Sequence, residues 1–366
     1  MEQKRLKFSK DFDKDFYNTL KQRVNEYFET NNISKSGNHV MYLKSAFMIA
    51  LYLIPYFIML SGAVTNPFGI VLLWMIMGVG MAGIGLSIMH DANHGSYSRN
   101  KLINKAMGYT MNIVGCNATT WKLQHNVLHH SYTNVDGADE DIDTGGLMRF
   151  SPHQDRKSLH RFQHFYAWFL YGFMTLNRIT IKDFAQMARF RKIGLVKESF
   201  TLEILKVLAW KIFYYLYILV LPLMLVPVSP WLIIVSFILM HMVNGLILSL
   251  VFQSAHVMPS TEFHQPDEKG IIQNNWAVHQ MVTTANFSPR NKSLSWFIGG
   301  LNYQIEHHLF ANICHIHYRE ISKIVSKTAS EFGIPYNTHK SFISAIADHG
   351  RMLKMLGKYD SLQTAK

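Results

Sequence analysis

Three short clusters hold the residues of this chain best suited to chemistry. His90 and His94 bracket Asp91, Ala92 and Asn93; His125, His129 and His130 form the second group; Gln304, Glu306, His307 and His308 form the third. Imidazole is a common ligand for iron, copper, nickel and zinc. The pairs His90/His94 and His125/His129 share a four-residue step, which puts both rings on one face of a helix. His307 and His308 follow Gln304 by three and four residues, again one face. A lone histidine beside an apolar run is more often an amphipathic filler than a ligand, but three clusters in one chain point to a metal centre assembled by folding. They outnumber the four ligands of a tetrahedral zinc site and suit two metal ions. A nitrogen-rich pair of iron ions is redox-active and can bind oxygen, whereas zinc cannot change oxidation state.

The elements that must position these clusters are apolar. Of 366 residues, 49% are hydrophobic and 16% charged, against about 25% charged in a soluble domain. Four long apolar runs, 45–64, 68–89, 207–228 and 231–251, are each long enough for a hydrocarbon core that needs about 20 helical residues. Residues 65–67 link the first two and Ser229–Pro230 the last two, so the runs pair into two helical hairpins. Pro55 and Pro222 read as tolerated kinks, and Lys211 as a side chain that snorkels to the interface. The pattern predicts an all-α integral membrane protein, with four transmembrane helices in two hairpins and a cytosolic helical cap. An amphipathic head covers 1–44, the membrane domain 45–320 and a helical tail 321–366. Two further apolar stretches, 107–119 and 165–176, are too short to span and read as interfacial or buried helices of the cap.

Charge sets the expected topology. Neither hairpin link carries Lys or Arg, so the positive-inside rule places the head, the 91–206 loop and the whole of 262–366 in the cytosol. Every histidine cluster then lies on one side, together with His256, which follows the fourth run. The net charge of +12 is spread over loops beside apolar runs, which fits anionic lipid better than nucleic acid. Cys116 and Cys314 form no CxxC pair, so no disulfide framework is implied. The head lacks the features of a signal peptide, and the last five residues, 362–366, carry no prenylation box.

Weaker signals remain. Gly78, Gly80 and Gly83 match a dinucleotide fingerprint but lie inside an apolar run without a preceding strand; close packing of membrane helices is the better reading. The acidic segment 136–143 follows the second cluster directly and lacks the pattern of a calcium loop. His279 can approach the site or the substrate, or serve structure alone. Cys314, His315 and His317 offer soft ligands with no second pair to complete a zinc site.

Taken together, the motifs HDxNH, HNxxHHxYTN and QxEHHLF resemble those of the membrane fatty acid desaturases and related hydroxylases, over about residues 40–320. The Gln at the head of the third motif is similar to the front-end desaturases, which act between an existing double bond and the carboxyl end of the chain. The resemblance implies a di-iron site, O2 as co-substrate and an external two-electron donor. By motif, the implied ligands are His90, His94, His125, His129, His130, His307 and His308, with His256 as the isolated family histidine. Gln304 stands where many relatives carry histidine, and it either binds metal, holds water or faces substrate. Asp91, Asn126, Asp141, Glu306 and His317 are candidates to orient the ligand imidazoles. No His-Pro-Gly-Gly motif of a fused cytochrome b5 is present, so a separate ferredoxin or cytochrome b5 is the expected donor, and acyl-CoA or acyl-lipid the expected substrate. A bacterial inner membrane fits this better than the endoplasmic reticulum. The competing functions are a di-iron lipid or carotenoid hydroxylase or ketolase, and, further off, a membrane metal transporter or sensor. A transporter needs polar residues through the bilayer, and the four runs offer almost none.

Overall fold

The computed structural model describes residues 6–9 and 14–360. The first residues of the amphipathic head and the tail residues 362–366 lie outside the described residues. The chain is mostly helical and divides into two compact units, one of Met1–Ser36, Gln124–Ala167 and Val251–Lys366, the other of Gly37–Leu123 and Trp168–Leu250.

The second unit carries most of the apolar sequence. Four helices are long and apolar enough to cross a membrane: His39–Leu60, Pro67–Asn93, Phe200–Leu225 and Pro230–His256. Their starts follow from local chemistry. The Asn38 side chain accepts from Val40 N and caps the first helix several residues ahead of its apolar run. Asn66 accepts from Gly69 N, and Pro67 fills the first turn, where a missing N–H costs nothing. Leu43 (73% exposed), Phe57 (61%) and Phe68 (78%) point away from the protein; apolar surface of this extent requires a non-aqueous neighbour.

The glycine pattern of the second apolar helix is a packing device, as its apolar setting predicts. A Cβ on Gly80 would lie 2.7 Å from Tyr52 N, one on Gly78 2.5 Å from Met240 O, and one on Gly83 would strike the Met48 sulfur. Backbones therefore approach on two sides of this helix at positions where only glycine fits.

Lys211 departs from its expected place. It does not snorkel; its side chain is buried, and Nζ donates to Asp183 Oδ2 at 2.9 Å and to the carbonyls of Arg178 and Gly115 at 3.0 and 3.2 Å. Arg178 also pairs with Asp183, at 3.2 Å. The fully buried Asp183 further accepts from Thr120 Oγ1 and Asn117 N. The partner lies 28 residues upstream, so the apolar run alone could not announce it. The two short apolar stretches are largely helical. Residues 107–119 run from the end of Lys101–Gly108 through Thr110–Ile113 to the start of Ala118–Lys122, with a non-helical turn at 114–117. Residues 165–176 fall within Gln163–Gly172 and Met174–Asn177, with Phe165 and Phe169 exposed.

In the first unit, the head forms the helix Lys14–Thr30. Phe16, Leu20, Val24 and Phe28 recur every four residues and are buried in one cluster with Ile321, Val325 and Ala329 of the helix Tyr318–Glu331 and Ile305 and Leu309 of the third histidine segment. This stripe couples the head to the ground on which His307 and His308 stand. Leu20→Ala is expected to cost about 2–5 kcal/mol through the cavity it leaves; a thermal melt of the purified protein checks it, and an unchanged midpoint would contradict this packing role. Among the described residues, strand pairing is confined to two parallel two-residue bridges, Lys7–Phe8 with Ile271–Ile272 and Asn286–Phe287 with Thr338–His339. Arg149 fixes the C-terminal helix Phe342–Lys358 by donating to five backbone carbonyls, Leu356 and Tyr359 among them.

Candidate metal centre

The clusters sit where regular α-helix gives way. The helix Pro67–Asn93 widens into a π-helical stretch at Ile84–Met89, just ahead of His90. The second cluster is itself π-helical, Leu123–His129. A π-turn bonds each N–H to the carbonyl five residues back, so i and i+5 share a face, and such turns concentrate at functional sites. In the second cluster the ring nitrogens of His125 and His130 thus meet, with Nε2 to Nε2 at 3.2 Å, while His125 and His129 keep the shared face that their spacing predicts. Two nitrogens each about 2.1 Å from one ion are about 3.0 Å apart at right angles, so this spacing suits a shared ion as well as a hydrogen bond.

Within the first unit, the rings converge. The ring nitrogens of His129, His256 and His308 lie within 4.8 Å of one another, and so do those of His130, His307 and His308; His125 and His129 make a third such group with Asp141. All six histidines are buried. Rings of His129 and His256 are 4.7 Å apart between centroids, those of His130 and His308 4.4 Å. In the second unit, His90 and His94 are 4.9 Å apart, and the Trp121 ring packs against both.

Hydrogen bonds on one ring nitrogen leave the other aimed inward. His129 Nδ1 donates to both oxygens of Asp139, at 3.0 and 3.1 Å. His308 Nδ1 donates to Gln280 Oε1 at 2.8 Å, and His307 Nδ1 lies 3.3 Å from the Tyr318 hydroxyl. His129 Nε2, His308 Nε2 and both nitrogens of His256 find no hydrogen-bond partner among the described residues. A buried, unsatisfied nitrogen costs about 1–3 kcal/mol, and four within one cluster form a donor set that could hold a metal ion. Burial and the surrounding histidines hold His308 well below the usual imidazole range, so it is neutral and able to ligate. Burial also disfavours charge on His129, but Asp139 outweighs it and raises the value.

The turn after the second cluster explains Thr133 and Asn134 of its motif. Thr133 Oγ1 donates to the His129 carbonyl at 2.7 Å. Asn134 adopts a left-handed conformation with φ 59°, which asparagine tolerates. Its backbone N–H donates to Asp139 at 2.9 Å, and its side chain donates to the His256 carbonyl at 2.9 Å. One turn thus ties His129, its carboxylate partner and the end of the helix bearing His256.

Other candidates are placed differently. Asp141 lies 3.7 Å from His129 Nδ1 and 3.9 Å from His125 Nδ1 and accepts from Gln124; Asp139, in the same acidic stretch, is the closer partner of His129. Glu306 bonds Asn286 and Tyr336, at 2.8 and 2.9 Å, rather than an imidazole; burial raises its carboxyl to about 7 against these bonds. His279 Nε2 donates to the Thr133 carbonyl at 2.8 Å and its ring packs on His264 and Phe8; burial lowers it to about 3. His317 stands edge-on to Phe28, Gln304 and Asp91 are buried, and Asn126 is half-buried. The sequence reading missed Asp139, Gln280, Tyr318 and Thr133 as partners of the rings. Asp139 had a signal in the acidic stretch and Thr133 in the second motif; Gln280 lies 28 residues from its histidine without a motif. Asp139→Asn keeps the shape and removes the charge, and is expected to weaken metal binding about 10–100-fold. Iron titration of the metal-depleted protein measures it, and unchanged affinity would remove Asp139 from this role.

The comparisons with known proteins follow the same residues. The family model described as Fatty acid desaturase matches residues 66–340, across all three clusters. The chain is 37% identical over 349 residues to the sn-1 linoleoyl-lipid 6-desaturase of Arthrospira platensis, covering 93% of this chain and 92% of that one. It is 36% identical over 356 residues to the sn-1 linoleoyl-lipid 6-desaturase of Synechocystis sp., covering 97% and 98%. It is also 37% identical over 364 residues to the acyl-lipid (8-3)-desaturase of Physcomitrium patens, covering 96% and 74%. With its imidazoles gathered as a metal requires and its length matched end to end by desaturases, the chain belongs to the fatty acid desaturase family.

Proposed function

We propose that this protein is a front-end acyl-lipid desaturase that inserts a double bond toward the carboxyl end of a lipid-bound fatty acyl chain, of the 6- or 5-desaturase type. The observation that carries the reading is the buried convergence of His129, His256 and His308 with inward nitrogens that lack partners, in a chain whose relatives are named for that reaction on acyl lipids. Balanced, the reaction removes two hydrogens from adjacent methylenes and consumes O2, two electrons and two protons, leaving an alkene and two waters. A pair of iron ions supplies the oxidising power when bound, since acid–base side chains cannot oxidise an unactivated methylene.

The protein's own residues prepare the site. Asp139 and Gln280 hold the Nδ1–H tautomers of His129 and His308 and so direct Nε2 at the metal. Burial of the imidazoles of His125, His129, His130, His256, His307 and His308 excludes water. His125, His129, His130, His256, His307 and His308 are assigned as ligands on this geometry; His90 and His94 are assigned on their motif alone. Gln304 is assigned to the substrate-facing or metal-facing edge of the third segment. The four apolar helices are read as two hairpins, with the histidine segments on the cytosolic side of a bacterial inner membrane. A ferredoxin or cytochrome b5 delivers the electrons, and the basic surface helps steer an acidic donor.

Expression in a host that supplies linoleoyl lipids and a donor, followed by methyl-ester analysis with location of the double bond, tests the proposal. A new double bond on the carboxyl side of the existing one is expected. Hydroxylated products alone would place the chain among the hydroxylases instead.

A further inference from the structure

The second unit holds an open cleft beside the first histidine cluster. It encloses about 390 Å³ and is lined by Lys101, Lys105, Lys122, Thr119, Tyr109 and His94, among others. Lys101 and Lys105 are one turn apart on the helix Lys101–Gly108, and Lys122 ends the helix Ala118–Lys122. None of the three lysines has a carboxylate partner among the described residues. Three lysines lining one concavity raise the positive potential there and favour an anion. Its volume falls at the small end of small-molecule sites, about 300–1,000 Å³, which suits a head group rather than the face of a protein.

The surroundings say what the anion is attached to. On the same short helix, Leu102 is 75% exposed and Ile103 39%, the combination of apolar and basic side chains that settles at head-group depth in a bilayer. His94 belongs to the first histidine cluster and forms part of the wall. We propose that this cleft binds the phosphate of an acyl-bearing substrate, so that the chain selects anionic phospholipid over neutral glycolipid. The inference rests on the desaturase reading for the acyl chain, and on the lysines for the phosphate.

The test uses the full chain in lipid nanodiscs. Binding of a fluorescent phosphatidylglycerol and of a neutral galactosyl diacylglycerol is measured for the wild type, for the triple variant Lys101→Gln, Lys105→Gln, Lys122→Gln, and for a control triple of exposed lysines, Lys292→Gln, Lys340→Gln, Lys354→Gln. The wild type is expected to prefer the phospholipid about tenfold or more, since each lysine near a charged head group contributes on the order of a few-fold to tenfold. High salt should shrink the preference. The cleft variant loses it and the control keeps it. Turnover with saturating donor shows a raised KM for phospholipid and an unchanged kcat in the cleft variant. A preference retained by the cleft variant, or lost equally in the control, overturns the proposal. So does a raised KM for the reduced donor alone, which would make the lysines a protein-docking patch. Competition by acyl-CoA but not by phosphatidylglycerol overturns the phospholipid selection and makes a thioester carrier the source of the phosphate. If no lipid gains a double bond, the desaturase reading fails while the binding comparison still decides the cleft.

Discussion

A His129→Ala protein should insert into the membrane, retain its helices and make no double bond, because it no longer holds iron. His129 is fully buried and stands between Asp139 on one nitrogen and the rings of His256 and His308 on the other. It shares nitrogen proximity with His256 and His308 in one group and with His125 and Asp141 in another, so its removal opens both. The loss of affinity should exceed the roughly 100-fold upper range for a partner that only orients a ligand. Iron per protein after purification measures binding, and methyl-ester analysis measures turnover. Circular dichroism and membrane fractionation separate lost metal from lost fold. Stoichiometric iron or wild-type product in this variant would dismiss His129 as a ligand, and with it the reading of the whole cluster.

The second large effect lies far from the histidines in sequence. Asp183→Ala removes the carboxylate shared by Lys211 and Arg178, leaving the buried Lys211 ammonium with backbone carbonyls alone. Breaking a buried pair from one side costs about 3–5 kcal/mol, and the bonds from Thr120 and Asn117 are lost as well. The asymmetry is the informative part. Lys211→Met leaves Asp183 still paired with Arg178, so it should cost clearly less. Thermal or denaturant unfolding in detergent should place Asp183→Ala well below Lys211→Met and the wild type. Equal stability of the two variants would mean that this network does not carry the charge balance assigned to it. Asn117 and Thr120 cap and begin the helix that leads into the second histidine cluster, so Asp183→Ala should also lower iron content.

What the sequence disclosed was mostly local. Apolar length announced the four helices, and histidine spacing announced the three clusters, because both depend on residues within a few turns of one another. The amphipathic head was legible in the same way, through Phe16, Leu20, Val24 and Phe28. What stayed hidden depends on distant pairing. Lys211 finds Asp183 across 28 residues, His308 finds Gln280 across another 28, and Asn134 reaches the carbonyl of His256 across 122. No periodicity encodes such meetings. The acidic stretch after the second cluster shows the intermediate case: the need for a carboxylate was readable, but the choice of Asp139 over Asp141 depends on how the turn at Asn134 closes.

The widened turns at 84–89 and 123–129 give these segments an unusual kind of rigidity. In a regular helix each residue advances the chain by about 100°, so inserting or losing one residue swings every later side chain by more than a quarter of a circle. Composition in such a stretch can drift, as long as the faces keep their polarity, but its length cannot. Between His90 and the second cluster, loops absorb changes in residue number. Inside the second cluster a single added or deleted residue would send His129 and His130 in new directions while leaving the overall helix intact. Among descendants of this sequence, the count of residues from Leu123 to His130 should therefore be guarded more strictly than the identity of those that are not histidine.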